Sequence, residues 1–441
     1  MGDETTVVKH LSDGGNKRKF ALILDKMESL PAAMTLSQLL SSPFTSSPSE
    51  SSSKRTSMID EKAALRVDTS SKLTPPITIE ALRLIELTSR TSALFKSQEA
   101  SSLVYNDPVI NIYKTFGQLN LLHVAANLSV VTQEQFPDTV TKHVSETGSQ
   151  MTIIPWPRGV TSDEEQTGVR NPFDGVFHRT TTVDQTSSVV FSEFIRNVFA
   201  RSPSDVALFV ERGLNNGYVT SSNQHLFLPF FGGPDDRLAL AFLGQLCENP
   251  SVTATVVRLV MKNGATLRDA ENIKSASPGN TALYPNVSDI IGSDVLLLTI
   301  VLFQQTMAAA DTIYGQHTTQ TRLESDTADN LTWEQFVNPT TTNSRITYHT
   351  ETTLTPLTEV IELAKAEATS RTSSSNKTMI VLAGRSRRMA VQSLYSEFNS
   401  LITESGVSIT SSVPKTLGDV GAALVATGVN ASLLILQAAH E

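Results

Sequence analysis

A chain of 441 residues exceeds one typical hydrophobic core, so two domains are expected, and 39% hydrophobic residues with 18 Phe are enough to fill them. The net charge of -9 offers no basic field for nucleic acid, and the single cysteine, Cys247, excludes an internal disulfide and any CxxC metal site. No stretch reaches the roughly 18 to 20 consecutive apolar residues that span a bilayer, and the N-terminus lacks a signal-peptide apolar region, so direct membrane insertion is not expected.

Residues 1–16 form a flexible N-terminal segment in this reading. Lys19 to Asp25 is a short β-like run, and Pro31 to Leu40 reads as a helix with Leu36, Leu39 and Leu40 at helical spacing. From Ser41 the composition turns to SSPFTSSPSESSSKRTS, a polar tract that cannot bury a core, which predicts a disordered insertion over 41–73. Ile77 to Leu87 then reads as a strand, Asp107 to Phe116 as a helix opening on Asp-Pro, and Leu121 to Val131 as β-capable. Gln133 to His143 is a helix candidate with His143 exposed, Met151 to Trp156 a buried strand, Ser188 to Ala200 a helix, and Asp205 to Val210 a strand. This alternation argues for a mainly parallel sheet, with a first domain over 17–213.

Leu226 to Arg258 is the most informative stretch. Leu226 to Phe231 is an apolar run of strand length, and Gly232 and Gly233 let the backbone turn sharply. Pro234 suits the first helical position, Asp235 and Asp236 suit the positive end of the helix dipole, and Asn249-Pro250 ends the helix. Cys247 falls on its buried face and His225 at the strand's end, while Val252 to Leu259 is a β-branched strand. A glycine turn at the carboxyl end of a strand is where open α/β sheets place ligands, but GGPDD also serves simply as a helix start. Lys262 to Asn343 reads as a variable, partly irregular insertion, holding a short apolar run at Val295 to Phe303 and a polar tail at Gln316 to Asn330. Arg345 to Thr352 is an alternating strand, Pro356 to Thr369 a helix, Thr378 to Ala383 a buried strand, Met389 to Ile402 and Leu417 to Ala426 helices, and Ala431 to Gln437 a last strand. The second domain is then 214–441.

FFGGPDDRLALAF resembles the GGPDDREAL-type motif in the cytosolic C-terminal region of the monovalent cation:proton antiporter-2 family, which includes plant cation/H+ exchangers and fungal K+/H+ antiporters. KFALILDKMESLPAAMTLSQLL, IEALRLIELTSRTSALF, MTIIPWP, DVALFVERG, GRSRRMAV and KTLGDVGAALVATGVNASLLILQ resemble further landmarks in the same order, from about Lys17 to Ala439. The fungal branch fits best. The resemblance implies two tandem universal-stress-protein-like α/β domains, each a mainly parallel sheet flanked by helices. It implies a regulatory, dimerising cytosolic region, neither catalytic nor transporting, whose partners are a second copy and the antiporter's membrane transport domain. The location so implied is the cytosolic face of a Golgi or endosomal membrane.

No GxSxG, HExxH, P-loop or GxGxxG occurs, so neither catalysis nor a metal site is expected. The candidate ligand is an adenine nucleotide. Nucleotide-binding relatives of the implied fold carry an acidic residue after strand one and a glycine loop whose N–H groups hold phosphates. Asp25 stands in the first position, and Gly384 follows MIVLA as the loop's first glycine should. The next expected glycine is Arg387, and the later Gly-Ser/Thr position aligns with Gly418-Asp419, whose aspartate repels phosphate. Arg385, Arg387 and Arg388, with Ser386 between them, make either an anion site with Gly232 and Gly233 or a salt-bridge cluster partnered by Asp235 and Asp236. Pro234, Asp235, Asp236, Arg237, Gly418 and Asp419 are the structural or interface candidates. The alternative function is a free-standing nucleotide-binding stress-type protein or nucleotide-sensing module.

Overall fold

The structure, a computed structural model, describes residues 16–41, 77–87, 106–156, 182–212, 224–261, 319–337, 345–372, 379–385, 394–405 and 412–439. Its first half runs β1 (Lys19–Leu24), α1 (Leu30–Leu40), β2 (Thr78–Glu86), α2 (Pro108–Leu119), β3 (His123–Val131), α3 (Phe136–Thr147), β4 (Met151–Trp156), α4 (Thr182–Arg201) and β5 (Asp205–Val210). The second half runs β6 (Gln224–Phe230), α5 (Pro234–Leu246), β7 (Val252–Met261), α6 (Thr319–Val337), β8 (Ile346–Thr353), α7 (Pro356–Thr372), β9 (Met379–Gly384), α8 (Tyr395–Ser405), α9 (Ser412–Ala426) and β10 (Ser432–Gln437).

The strands form one ten-stranded sheet in the order β3-β2-β1-β4-β5-β10-β9-β6-β7-β8. Within each half all pairings are parallel, and both halves have the spatial order third, second, first, fourth, fifth. The fifth strands meet antiparallel, with Leu433 opposite Val210 and Gln437 opposite Val206. The chain is therefore a tandem repeat of one doubly wound unit, joined edge to edge about a pseudo-twofold axis. Matched positions follow from this symmetry: Asp25, first after β1, corresponds to Phe231, first after β6.

The sequence shows why the seam sits where it does. β4, β6, β9 and β10 are buried along their whole length, as their largely apolar sequences favour, whereas the terminal strands β3 and β8 are partly exposed. Joining at the fifth strands leaves only the two polar-bearing outer edges open. Helices cover both faces. On one face α1, α2, α5 and α6 pack over Phe20, Leu22, Leu226, Leu228 and Leu434; on the other α3, α4, α7 and α9 pack over Ile23, Ile154, Leu208, Val381 and Leu433. Each apolar layer runs through both halves.

Several expectations change. His143 is buried, not exposed, because its helix turns that face to β2, where the imidazole Nε2 donates to the Glu80 carbonyl at 3.3 Å. The polar tail is, from Thr319 onward, the opening of α6. The helix expected from Leu417 begins at Ser412 and is broken at Gly418, whose φ of 75° interrupts it. The Ser-rich tract beyond Ser41 and the run Val295 to Phe303 lie outside the described residues.

Candidate functional site

The site to test is the carboxyl edge of the second half, at the crevice between β6 and β9, where the crossovers diverge to opposite faces. Gly232 and Gly233 have φ of 102° and 94°, a region that side chains rarely enter, and they turn the chain from β6 straight into α5. The turn brings the first residues of α5 back over the strand ends. Asp235 and Asp236 are buried there, at 1% and 2% exposure.

Their carboxylates are bound to backbone. The N–H groups of Phe231 and Gly232 donate to Asp236 Oδ2 at 2.8 and 3.1 Å, and that of Gly384, at the end of β9, donates to Oδ1 at 3.0 Å. Asp235 Oδ1 accepts from the Ala438 N–H, just past β10, at 2.9 Å. The two aspartates thus tie α5 to three strands. Gly384 has to be glycine, since a Cβ there would lie 2.9 Å from both Asp235 Cβ and the Asp236 backbone nitrogen.

A third carboxylate comes from α6. Asp329, also buried, accepts from the Gly233 N–H through both oxygens, at 3.0 and 2.9 Å, and pairs with Arg237, whose guanidinium also donates to Ser325 Oγ at 3.3 Å. Trp333, one helical turn on, packs against Phe230 and Tyr348 with ring centroids 5.7 and 5.8 Å away, and Arg258 lies over its ring. Sequence reasoning missed Asp329 because α6 is mostly polar before Trp333, and the signal available was Trp333 four residues after it.

Arg385 is the member of the basic cluster that is described, and it is interior. It donates to Gln437 Oε1 at 2.7 Å and to the Lys415 carbonyl at 2.6 Å, and its guanidinium lies 4.6 Å over the ring of Phe199, from the first half. Gln437 in turn donates to the Phe199 carbonyl at 2.7 Å. Arg385 therefore braces the two halves across the β5–β10 seam. Ser386, Arg387 and Arg388 lie outside the described residues. Gly418, with φ 75° and ψ 172°, repeats the backbone of Gly233, with φ 94° and ψ 169°, and places buried Asp419 at the start of a helical segment just as Gly233 places Asp235 two residues on.

In the first half Asp25 stands at the matching crevice, and its carboxylate accepts from Ser29 Oγ at 2.7 Å. Arg83, which sequence reasoning did not single out, sits beside it. Its guanidinium donates to the carbonyls of Asp25 and Leu84 and pairs with Asp107 at 3.2 Å. The second half has Phe231 where the first has Asp25. The position that is acidic in the first half is thus aromatic in the half whose Gly384 amide is already bound.

The halves also share a clamp on the entering chain. The Gln245 side chain of α5 accepts from the Lys17 N–H at 2.9 Å and donates to the Lys17 carbonyl at 2.7 Å, while Lys17 Nζ pairs with Asp205 of β5 at 2.5 Å. Nearby, Cys247 is fully buried, and burial pushes its thiol up to about 12, partly opposed by the Arg345 charge.

Comparison with known proteins adds the following. A family described as plant cation/H(+) antiporter domain matches residues 79–214. Cation/H(+) antiporter 15 of Arabidopsis thaliana is 27% identical over 201 residues, covering 42% of this chain and 22% of that protein. Cation/H(+) antiporter 17 of the same plant is 25% identical over 201 residues, with the same coverage of 42% and 22%. The chain thus spans less than a quarter of these relatives' length. Among solved structures, a universal stress protein from Archaeoglobus fulgidus is 9% identical at a TM-score of 0.38, covering 95% of this chain and 96% of that one. The fold itself stands on the strand order given above. No helix among the described residues is long and apolar enough to cross a membrane. The sequence matches make this α/β chain a relative of the cation/H+ antiporters.

Proposed function

We propose that this chain is the cytosolic regulatory and dimerisation region of a K+/H+ antiporter of the fungal branch, acting in potassium and pH homeostasis. In this reading it neither transports nor catalyses. Its partners are a second copy of itself and the membrane transport domain of the same antiporter, on the cytosolic side of a Golgi or endosomal membrane. Its two units meet near residue 213.

The observation that carries this reading is the pairing of sequence similarity to antiporters with a ten-stranded α/β sheet, in a chain that spans only a fraction of each antiporter's length. A region of this kind acts on transport by differing in contact between two transporter states, a coupling typically worth about 1 to 3 kcal/mol. The second-half corner supports a mechanical role over a nucleotide-sensing one, since its amides are engaged by Asp235, Asp236 and Asp329. A rigid sheet braced at its seam by Arg385 suits the transmission of a displacement.

Two measurements test the reading. The coding sequence upstream of Met1 is expected to encode a series of membrane-spanning segments. Sedimentation of the isolated chain is expected to give a concentration-dependent dimer. An upstream sequence without such segments removes the antiporter reading, and a monomer at all concentrations removes the dimerisation part.

A further inference from the structure

We propose that the backbone N–H groups of Phe231, Gly232 and Gly384 form a site for a carboxylate-sized oxyanion, and that its resident ligand is the chain's own Asp236. The three donors come from two strands that are distant in sequence: Phe231 and Gly232 follow β6, and Gly384 ends β9. They converge on one carboxylate at 2.8, 3.1 and 3.0 Å, two on one oxygen and one on the other. Asp236 itself is 2% exposed. A negative group accepting three converging N–H donors at the mouth of a doubly wound sheet is the arrangement by which such sheets hold anions. Here the anion is covalently attached, in the first turn of the helix that other sheets aim at a bound ligand.

The surroundings fit a filled site. Gly384 lets α5 approach close enough for the contact, because a Cβ there meets the backbone of Asp236. Gly232 does the same for α6, since a Cβ on it would lie 3.2 Å from Asp329 Cγ. The two other carboxylates at the edge have separate partners: Asp329 binds the Gly233 N–H and Arg237, and Asp235 binds the Ala438 N–H. Removal of the Asp236 carboxylate therefore exposes three converging donors and leaves these bonds of Asp329 and Asp235 in place. This inference does not rest on the antiporter reading.

Asp236→Ala removes a volume close to that of formate and leaves the donors in place, so formate is the probe. The variant is melted in increasing sodium formate against sodium chloride of equal ionic strength. A saturable rise of about 2 to 4 °C at 100 mM formate in Asp236→Ala, absent from the wild type, is expected. Asp236→Asn keeps the cavity filled and is expected to give no formate-specific rise. An equal response in all three proteins, or none in Asp236→Ala, overturns the proposal. If Asp236→Ala is not recovered soluble, its refolding from urea in formate and in chloride replaces the melt. A higher yield in formate supports the site, and equal yields overturn it.

Discussion

The Asp236 carboxylate, in the first turn of α5, accepts the Gly384 N–H at 3.0 Å, joining two residues 148 positions apart at the ends of neighbouring crossovers. The bond closes the second half's crevice from within. Removing the carboxylate takes the acceptor from three N–H groups, those of Phe231, Gly232 and Gly384, each costing about 1 to 3 kcal/mol. Asp236→Ala is therefore expected to lower stability by about 3 kcal/mol or more in urea unfolding, and Asp236→Asn by about half as much, since one amide oxygen remains to accept.

Two glycines in different roles separate sterics from backbone strain. Gly148 caps α3 at φ 64° with open space where a Cβ would go, so Gly148→Ala carries only the cost of the left-handed backbone, about 1 kcal/mol. Gly384→Ala forces a Cβ to within 2.9 Å of the Asp236 nitrogen and the Asp235 Cβ, groups that cannot swing aside. It is expected to cost about 3 kcal/mol. Thermal melting of both variants checks the order, and a reversed order contradicts the packing of α5 on β9.

How much of this was legible in the sequence depends on whether the cause was local. The apolar runs of β4 and β9 announced buried strands, those of β5 and β10 announced strands, and GGPDD announced a sharp turn into a helix, because propensity and solvation act within a few residues. What the aspartates bind was not legible, since Gly384 and Ala438 are brought to them only by the sheet. Asp329 was hidden for another reason: it lies in a helix with no apolar stripe, so no periodicity marked a buried face. The β5–β10 seam was equally silent, because a strand buried on both faces reads the same whether its neighbour is parallel or antiparallel. His143 was misjudged for want of the helix's orientation on β2.

The clamp on the entering chain gives a third outcome. Gln245→Ala breaks both bonds to the Lys17 backbone, expected to cost about 1 to 2 kcal/mol. It is also expected to speed tryptic cleavage after Lys17, Arg18 or Lys19 several-fold, read by mass spectrometry. An unchanged cleavage rate means that the remaining contacts, the Lys17–Asp205 pair and the bonds of Gln150 to Arg18 and Lys19 among them, hold the segment without Gln245.

The buried thiol sets an alkaline limit. Burial raises the folded Cys247 from 9.0 to about 12, so between those values the unfolded chain loses a proton that the folded chain keeps. Stability from this group is fully present below about 9 and falls as pH rises toward 12. Unfolding free energy measured from pH 8 to 11 should decline less steeply in Cys247→Ala than in the wild type. A thiol reagent should label native Cys247 only as fast as the fold opens.

The central claim is that this chain biases a transporter instead of merely supporting it. The direct measurement is K+/H+ exchange in vesicles by the full antiporter with and without residues 17–439, expressed per correctly inserted molecule. A coupling of about 1 to 3 kcal/mol predicts a change of roughly 5-fold or more in rate or in its dependence on pH or K+. Equal exchange per inserted molecule, with the same dependence, would contradict the account and leave this region as a platform for folding and assembly.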